Sequence, residues 1–402
     1  MAGPLRGRAP APPSTAAAGR PVHPVSALGV AVLVSGFVLA GVGWYLGWAE
    51  ATVMGMVLLV AWLLAVLLTA GRSTYAVELD LSDHRITVGQ RAVGRLVVTN
   101  TSTRRLLPAQ IELPVGEGSG DFPLPSLAGG ASHEDVFAIP TTRRAVVVVG
   151  PVRSVRGDPL GLLRRRVRWT DPVDLFVHPE IVGLGGAASG VLRDLEGQAT
   201  RVLSDSDMSF HALRDYVAGD DRRHIHWKTS ARIGELMVRQ FEDTRRTHTA
   251  VVLSTATEDY TGADDFELAV AVAASVGVQA LRDERDLTVL AGTGRLPTGS
   301  PALLLDATSG LVLGEGTGTA RLVPWALREA ADASAVLLIT GTPASRAELR
   351  SRASRLPVGL RTVVLGCAVG APVEVATQGA LSVAQLGALT DLPRLMRRVV
   401  GS

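Results

Sequence analysis

Two long runs without a formal charge lie close together near the N-terminus of this 402-residue chain, at residues 25–48 and 51–70, and Glu50 alone separates them. A helix needs about 20 consecutive apolar residues to cross the hydrocarbon of a bilayer. Each run therefore predicts one transmembrane helix, and the short connection predicts a helical hairpin. Amphipathic rings favour headgroup depth, and three lie at the connection: Trp44, Tyr45 and Trp48.

Arginine flanks the open end of this hairpin on both sides, at Arg6, Arg8 and Arg20 before it and at Arg72, Arg85, Arg91 and Arg95 after it. The positive-inside rule then places both chain termini in the cytoplasm. We expect a multi-pass protein of the cell membrane, with a disordered basic arm at 1–24, a hairpin at 25–71 and cytoplasmic soluble domains. A cleaved signal peptide is the alternative, but the first run exceeds the usual ~7–15 apolar residues and a second run follows at once.

Short apolar runs separated by turn residues characterise the next part of the chain, residues 76–180. The runs lie at 86–88, 96–98, 111–113, 136–139, 145–149 and 173–177, and glycine, proline or asparagine interrupts them. Strands at about ten-residue spacing without a helical period are typical of an antiparallel β-sandwich. We therefore predict a β-sandwich domain over 76–180.

The pattern changes again in the last part of the chain, residues 247–402. Short apolar strands, expected at 250–253, 287–290, 335–339 and 362–365, alternate with helical patterns at 266–281, 322–331, 346–354 and 392–400. This alternation predicts an α/β domain with a mainly parallel sheet covered on both faces. Residues 181–246 join the two soluble domains as a linker and a distinctive segment, so the chain is multi-domain.

Composition excludes several classes of function. Lys+Arg 40 against Asp+Glu 38 leaves a net charge of +2, which gives no general footprint for nucleic acid. The single cysteine, Cys367, excludes an intramolecular disulfide framework. Trp227 rather than glycine precedes the only lysine, Lys228, so no Walker A loop exists. The run of arginines at 164–168 could meet anionic lipid, or it could simply protect a strand edge.

Aromatic, histidine and charged residues are concentrated in residues 206–242, which we call the signature segment. Phe210, Leu213 and Val217 recur at helical spacing, Asp220 or Asp221 could cap a second helix, and 236–241 alternates as a strand would. Arginines and carboxylates are nearly balanced and suit bidentate ion pairs. We expect partial or complete burial at the domain junction for Arg214, Asp220, Asp221, Trp227 and Arg232.

The stretch 213–232, Leu-Arg-Asp-Tyr-Val-Ala-Gly-Asp-Asp-Arg-Arg-His-Ile-His-Trp-Lys-Thr-Ser-Ala-Arg, resembles the signature of the bacterial family called domain of unknown function 58. The two apolar helices, the Arg156-Gly-Asp-Pro-Leu-Gly-Leu162 motif and the end of the segment at Glu242 follow that family's order. The resemblance implies a membrane protein with a von Willebrand A-like C-terminal part, often encoded near MoxR-type AAA+ ATPases and transglutaminase-like membrane proteins, and no established reaction. The candidate interaction residues are Arg214, Tyr216, Gly219, Asp220, Asp221, Arg222, His226, Trp227, Ser230, Arg232 and Glu242.

The loop after the strand at 250–253 departs from cation-binding von Willebrand A domains, in which this strand ends in Asp-x-Ser-x-Ser. Ser254 stands where the aspartate would be, and Ala256 stands where the first serine would be. Glu258 and Asp259 follow at the wrong register for replacement. Because a hard divalent cation needs converging charged oxygens, we expect a degenerate loop, and we expect no metal or cofactor.

Two functions follow as hypotheses. The first is a cytoplasmic protein-interaction scaffold without catalysis, whose partners would be a MoxR-type ATPase and membrane proteins of the same system, and not nucleic acid. The second is a membrane-bound hydrolase that uses His226 with Asp220 or Asp221, and with Ser230 as a nucleophile, although no Gly-x-Ser-x-Gly elbow is present. Metal binding by His211, His224 and His226 is less favoured than structural roles, because residues two apart diverge by about 200° on a helix.

Overall fold

The computed structural model describes residues 25–69, 74–185, 208–217, 220, 222–243, 248–292, 294–314, 316, 318–331, 333–341 and 360–401. The chain divides into two compact units, an N-terminal unit of residues 1–177 and a C-terminal unit of residues 178–402. The predicted basic arm at 1–24 and the predicted helix at 346–354 lie outside the described residues.

Two apolar helices open the N-terminal unit, α1 (Ala27–Leu46) and α2 (Ala49–Thr69), and both are long and apolar enough to cross a membrane. They pack closely through glycine. A Cβ atom at Gly43 would lie 2.5 Å from the backbone nitrogen of Thr52, and one at Gly55 would lie 2.4 Å from that of Ala40. A larger residue at either position would force the helices apart, so the hairpin depends on small residues at its interface.

Ten strands follow the helices: β1 (Tyr75–Leu81), β2 (Arg85–Thr87), β3 (Ala92–Asn100), β4 (Ala109–Val115), β5 (Gly118–Leu124), β6 (Ser132–Ile139), β7 (Ala145–Val149), β8 (Arg153–Gly157), β9 (Arg164–Arg168) and β10 (Val173–His178). One sheet has the order β1-β3-β6, and the other runs β2-β10-β7-β4-β8-β9 with β5 paired to β4. The pairs β1–β3, β3–β6, β4–β5 and β8–β9 are antiparallel.

Alternating side chains of the two sheets form one hydrophobic core. In β3 every second residue is buried, including Leu96 and Val98, and Ile111, Leu113 and Leu175 from the other sheet join the same cluster. The six predicted apolar runs are confirmed as strands. Strands β1, β5, β8 and β9 were not predicted, because the sequence interpretation followed short apolar runs and assigned none at these positions.

The carboxylate of Asp158 organises the loop between β8 and β9. Its Oδ1 accepts a hydrogen bond from the backbone nitrogen of Leu163 at 2.6 Å, and its Oδ2 accepts from those of Leu160 and Leu162 at 2.9 and 3.2 Å. Burial opposes ionisation of the carboxyl, but the backbone donors outweigh burial and hold the pKa of Asp158 below its ordinary value.

The same loop is attached to the start of α1. The backbone nitrogen of Ser26, the N-cap residue of α1, donates to the Leu162 carbonyl oxygen at 3.0 Å, and the Ser26 hydroxyl lies 2.9 Å from that oxygen. A Cβ atom at Gly29 would lie 2.2 Å from the same oxygen. The β8–β9 loop therefore packs directly on the first turn of the apolar hairpin.

The C-terminal unit contains strands β11 (Met208–Asp215), β12 (Met237–Asp243), β13 (His248–Leu253), β14 (Asp286–Ala291), β15 (Gly294–Leu296), β16 (Ala335–Thr340), β17 (Arg361–Cys367), β18 (Glu374–Gln378) and β19 (Leu381–Leu386). Its helices are α3 (Trp227–Ile233), α4 (Ala263–Arg282), α5 (Pro301–Ser309), α6 (Thr319–Glu329) and α7 (Leu392–Gly401). Strands β13 to β19 form a sheet of order β15-β14-β13-β16-β17-β19-β18.

The inner strands of this sheet are parallel, and the outer strands β15 and β18 are antiparallel to their neighbours. The four predicted apolar strands are confirmed as β13, β14, β16 and β17. Their side chains are buried on both faces because α4 and α7 contribute to a cluster on one face and α6 to a cluster on the other. The hairpin β18–β19 was not predicted, because the sequence interpretation of this unit followed all-apolar runs and these strands alternate polar and apolar residues.

Residues 178–185 run along the C-terminal unit. The Nε2 atom of His178 lies 2.8 Å from Oδ1 of Asp306 in α5, and both side chains are largely buried. The backbone nitrogen of Val182 donates to Ser275 Oγ at 3.1 Å, and Leu184 belongs to the core. The first residues of the predicted linker are thus packed, and residues 186–207 lie outside the described part of the chain.

Candidate functional site

The signature segment contains a two-stranded antiparallel ribbon in which β11 pairs with β12. The predicted helix carrying Phe210, Leu213 and Val217 is therefore wrong, because the first two lie in β11. Three residues at helical spacing are also compatible with a strand, and here pairing with a distant strand decides the conformation, since Phe210 lies opposite Phe241 and Asp215 lies opposite Met237. The predicted strand at 236–241 is confirmed as β12.

Arg214 and Asp220 form a bidentate ion pair beside this ribbon. Nη1 and Nη2 of Arg214 donate to Oδ2 and Oδ1 of Asp220 at 2.7 and 2.6 Å, and Oδ2 also accepts from the backbone nitrogen of Val217 at 2.9 Å. The hydrogen bond from Arg214 lowers the pKa of Asp220, and the same bond raises the pKa of Arg214. Asp220 closes the turn after β11 and does not cap a helix, contrary to expectation.

His226 caps α3 in place of the expected aspartate. Its Nδ1 atom accepts a hydrogen bond from the backbone nitrogen of Thr229 at 3.2 Å. The hydroxyl of Ser230, which is buried, donates to the His226 carbonyl oxygen and accepts from the backbone nitrogen of Met237, at 3.2 and 2.9 Å. His226 and Ser230 therefore fix a short helix against β12.

The outward side of α3 is exposed, which corrects the prediction of burial. Trp227 is 65% exposed, Arg232 is exposed, and the side chain of Arg214 is 43% exposed. Among the described residues of that prediction, Asp220 is the most buried, with 20% of its side chain exposed. The prediction failed because a helix of seven residues buries only the side that packs on its neighbours. Ser230 lies on that side of α3, and Trp227 and Arg232 do not.

The other signature residues are placed as follows. Tyr216 is half-buried and donates its backbone N–H to the Leu236 carbonyl oxygen at 2.8 Å. Arg222 is exposed in a short 3-10 turn, and Glu242 lies in β12 opposite Ser209. Gly219 and Asp221 lie outside the described residues.

A second candidate site is the loop after β13, residues 254–262, which we call the Ser254 loop. Strand order reverses at β13, because β14 lies on one side and β16 on the other, and ligands of parallel sheets bind beside the carboxyl ends of strands at such a point. The Ser254 hydroxyl donates to Oδ2 of Asp259 at 2.5 Å, and the Tyr260 hydroxyl donates to the Ser254 carbonyl oxygen at 2.6 Å.

The position of Asp259 corrects part of the sequence interpretation. Its register along the chain is wrong for a metal ligand, but the 3-10 turn Thr257–Asp259 brings its carboxylate against Ser254. The contact between Asp259 and Ser254 could not be predicted from their spacing, because it depends on the turn that reverses the chain between them. Burial raises the pKa of Tyr260, so its phenol remains protonated and serves as a donor.

The Ser254 loop is packed closed by glycine from neighbouring segments. A Cβ atom at Gly341 would lie 2.0 Å from the Asp259 carbonyl oxygen, and one at Gly318 would lie 2.8 Å from Oε1 of Glu258. The side chain of Ser254 is fully buried, and Ala256 is buried beside it.

The oxygen atoms of the Ser254 loop do not fit the divalent ion of cation-binding von Willebrand A domains. They include a single converging carboxylate, that of Asp259, and the Ser254 hydroxyl already contacts it. Within the described ranges, no group of three or more His, Cys, Asp or Glu side chains is arranged to hold a metal ion.

Cys367 ends β17 close to this loop. It is completely buried, and burial raises the pKa of its thiol. At neutral pH the thiol is therefore protonated, which agrees with the prediction of an inert buried cysteine.

Residues 212–303 match the model of a family described as "Protein of unknown function DUF58". The matched range begins in β11 and ends in α5, so it contains the Arg214–Asp220 pair, α3 and the Ser254 loop. This match supports membership of that family, as the resemblance of 213–232 predicted.

No curated protein matches the sequence. Among solved structures, the chain is similar to the CARDB domain of a Pyrococcus furiosus protein, with 12% identity over 26% of this chain and 93% of that chain and a TM-score of 0.21. It is also similar to a β-glucosidase from Listeria innocua, with 12% identity, 27% and 17% coverage and a TM-score of 0.18. A third is the alkylpurine DNA glycosylase AlkC of Pseudomonas fluorescens, with 14% identity, 32% and 39% coverage and a TM-score of 0.20. Scores this low carry no argument about fold or function.

Proposed function

We propose that the chain is a membrane-anchored cytoplasmic scaffold that binds partner proteins through its signature segment. The observation that carries this proposal is the exposure of Trp227 on a helix whose conformation His226 and Ser230 fix. An aromatic side chain that contributes little to its own fold, on a well-organised element, is typical of an interaction site.

The exposed residues on and beside α3 are mainly apolar and cationic, although the carboxylates of Asp215 and Glu235 are also exposed in this segment. We call the following apolar and cationic side chains the Trp227 surface: Val217, Trp227, Lys228, Arg232, Ile233 and Leu236. Tryptophan and arginine dominate the binding energy of protein interfaces, because a large ring or planar guanidinium gains much on desolvation. The surface suits a partner that offers an apolar pocket bordered by carboxylates.

A MoxR-type AAA+ ATPase is the partner that the family resemblance favours, together with membrane proteins of the same system. The C-terminal unit would then act as a metal-independent von Willebrand A-like module. Its parallel inner strands support this interpretation, as does the position of the Ser254 loop at the point where strand order reverses.

The hydrolase hypothesis receives less support from the geometry. The carboxylate of Asp220 is held by Arg214 and Val217, Nδ1 of His226 accepts a backbone hydrogen bond, and the hydroxyl of Ser230 is buried. A catalytic base needs a proton to abstract within reach, and these groups instead make local structural hydrogen bonds. We propose that the segment is not catalytic.

Topology gives the first test of this proposal. Arginines precede the first apolar helix and follow the second, and Glu50 is the only charge at the connection between the two helices. Both chain termini are therefore expected to face the cytoplasm. A reporter enzyme that is active only in the cytoplasm, fused after Ser402, should be active, and a reporter that needs export should be inactive there. The reverse pattern would exclude a cytoplasmic scaffold.

Replacing Trp227 with alanine should abolish partner binding without loss of stability. The side chain is exposed, so the free energy of unfolding should change by no more than about 0.5 kcal/mol. Loss of a central interface tryptophan commonly costs about 2 kcal/mol or more of binding energy, or about 30-fold in affinity. Calorimetric titration of the full chain in detergent with the purified MoxR-type ATPase, together with thermal melts, would measure both effects.

Val369→Ala is the matched control, because Val369 is 60% exposed in the same unit but lies outside the Trp227 surface. It should leave binding and melting unchanged. A Trp227→Ala variant that melts several degrees lower would instead favour a buried junction, and unchanged affinity in that variant would contradict the docking role.

A further inference from the structure

Arginines face one another across the β8–β9 hairpin. In the antiparallel register Arg153 lies opposite Arg168, and Arg156 lies opposite Arg165. Like charges at directly opposite positions destabilise a strand pair. The hairpin therefore carries a concentration of positive charge that its own pairing does not explain.

Four of these charges lie on the same face, because opposite and alternate residues of a pair share a face. They are Arg153, Arg164, Arg166 and Arg168. Glu112 lies 3.6 Å from Nε of Arg166, and Asp171 lies 2.7 Å from Arg168, so two carboxylates compensate part of the charge. The face keeps an excess of positive charge, and Arg164 and Arg168 are exposed on it.

The hairpin also lies beside the apolar helices. Its loop is hydrogen-bonded to Ser26 at the start of α1 and packs on Gly29, and β8 contacts α2. β9 is the outermost strand of its sheet, and Leu160 at the tip of the loop is 59% exposed. The arginines and one exposed leucine thus lie where the apolar run begins.

We propose that the β8–β9 hairpin binds the phosphate groups of anionic phospholipids at the headgroup layer, with Leu160 in contact with the lipid. Guanidinium groups bind phosphate oxygens in bidentate geometry, and juxtamembrane basic clusters are attracted to anionic lipid. The proposal rests on the membrane-spanning hairpin of the proposed function. Charge on an outermost strand also discourages edge-to-edge pairing, but edge protection alone does not place these arginines beside the start of an apolar helix.

Spin-labelled lipids in the reconstituted full chain test this proposal. The relative association of spin-labelled phosphatidylglycerol and phosphatidylcholine with the protein is read from the motionally restricted part of the spectrum. Phosphatidylglycerol should be preferred, and the double variant Arg164→Gln and Arg168→Gln should lower that preference about fivefold or more. High salt should weaken it in the same direction, because exposed charges are screened.

Arg394→Gln with Arg397→Gln is the matched control, since it removes the same charge from exposed positions of α7 and should leave the preference unchanged. Equal association of the two lipids, or an equal loss in both double variants, overturns the proposal. Alkaline extraction of the same membranes separates this failure from failure of the proposed anchor. A chain that is extracted does not span the bilayer. A retained chain without lipid preference contradicts only the proposed lipid binding by the β8–β9 hairpin.

Discussion

Replacing Asp158 with alanine is expected to lower the free energy of unfolding of the N-terminal unit by about 2–4 kcal/mol, because each buried donor left without an acceptor costs about 1–3 kcal/mol. Three backbone N–H groups lose their acceptor, from Leu160, Leu162 and Leu163. These hydrogen bonds shape the β8–β9 loop, and the Leu162 carbonyl oxygen of that loop accepts a hydrogen bond from the backbone nitrogen of Ser26. Thermal melts of the full chain in detergent should show a drop of several degrees, and hydrogen exchange at residues 160–163 should accelerate.

The Asp158→Asn variant removes the negative charge of the side chain but keeps its size and shape. Asparagine keeps one carbonyl oxygen and presents an NH₂ group where the second oxygen accepts two bonds, so most of the loss should remain. Asp174→Ala is the control, because Asp174 is exposed on β10. If Asp158→Ala melts like that control, the hydrogen bonds of the loop do not stabilise the unit.

The pH dependence of this effect has a definite sign. The pKa of Asp158 is lowered in the folded protein, so its contribution is complete above its unfolded pKa of about 3.9 and is lost as the pH falls through the folded value. The difference in stability between the native chain and Asp158→Asn should therefore be constant near neutrality and shrink in acid.

Periodic features of the fold could be predicted from sequence, because one buried face imposes a period on the chain. In β3 every second residue is buried, whereas the apolar run at 250–253 of β13 reflects burial on both faces of its sheet. β9 could not be predicted in this way, since its five residues include four arginines. Its pairing with β8 and the hydrogen bonds of Asp158 hold it in place, and both involve residues that a local pattern does not connect.

The candidate site shows the same limit in another form. Composition identified the signature segment, but we expected Trp227 to be partly or wholly buried at a domain junction, among ion pairs that hold the segment in place. Exposure depends on which side of a short helix faces β12, and Ser230 takes that side. Likewise, the sequence interpretation set Ser254 against the aspartate of cation-binding von Willebrand A domains, whereas only the folded turn shows that the Asp259 carboxylate lies against Ser254.

Replacing Ser254 with aspartate should destabilise the C-terminal unit strongly at neutral pH. Ser254 is fully buried and its Oγ lies 2.5 Å from Oδ2 of Asp259, so the variant would bring two carboxylates together. Stranding a buried charge costs about 3–5 kcal/mol. Two adjacent carboxylates share a proton, so one folded pKa rises above its unfolded value. The penalty should be absent below the unfolded pKa, grow as the pH rises, and be complete above the folded pKa.

A divalent cation is a second way to neutralise two carboxylates at this position. Its effect on stability distinguishes a loop that has lost a metal site from an unrelated loop. In the native chain, millimolar Mg²⁺ or Mn²⁺ should shift the thermal melt little, because one carboxylate binds a hard cation weakly. In Ser254→Asp with Ala256→Ser, a cation at about 100 times its Kd would restore about 2.7 kcal/mol. Ser254→Asn, which adds similar bulk without charge, should gain no such response.

Two results would contradict this interpretation. A cation-dependent shift of several degrees in the native chain that Ser254→Ala removes would show that the loop already binds metal. A double variant whose melting does not respond to cations would count against a von Willebrand A-like ancestry of the Ser254 loop.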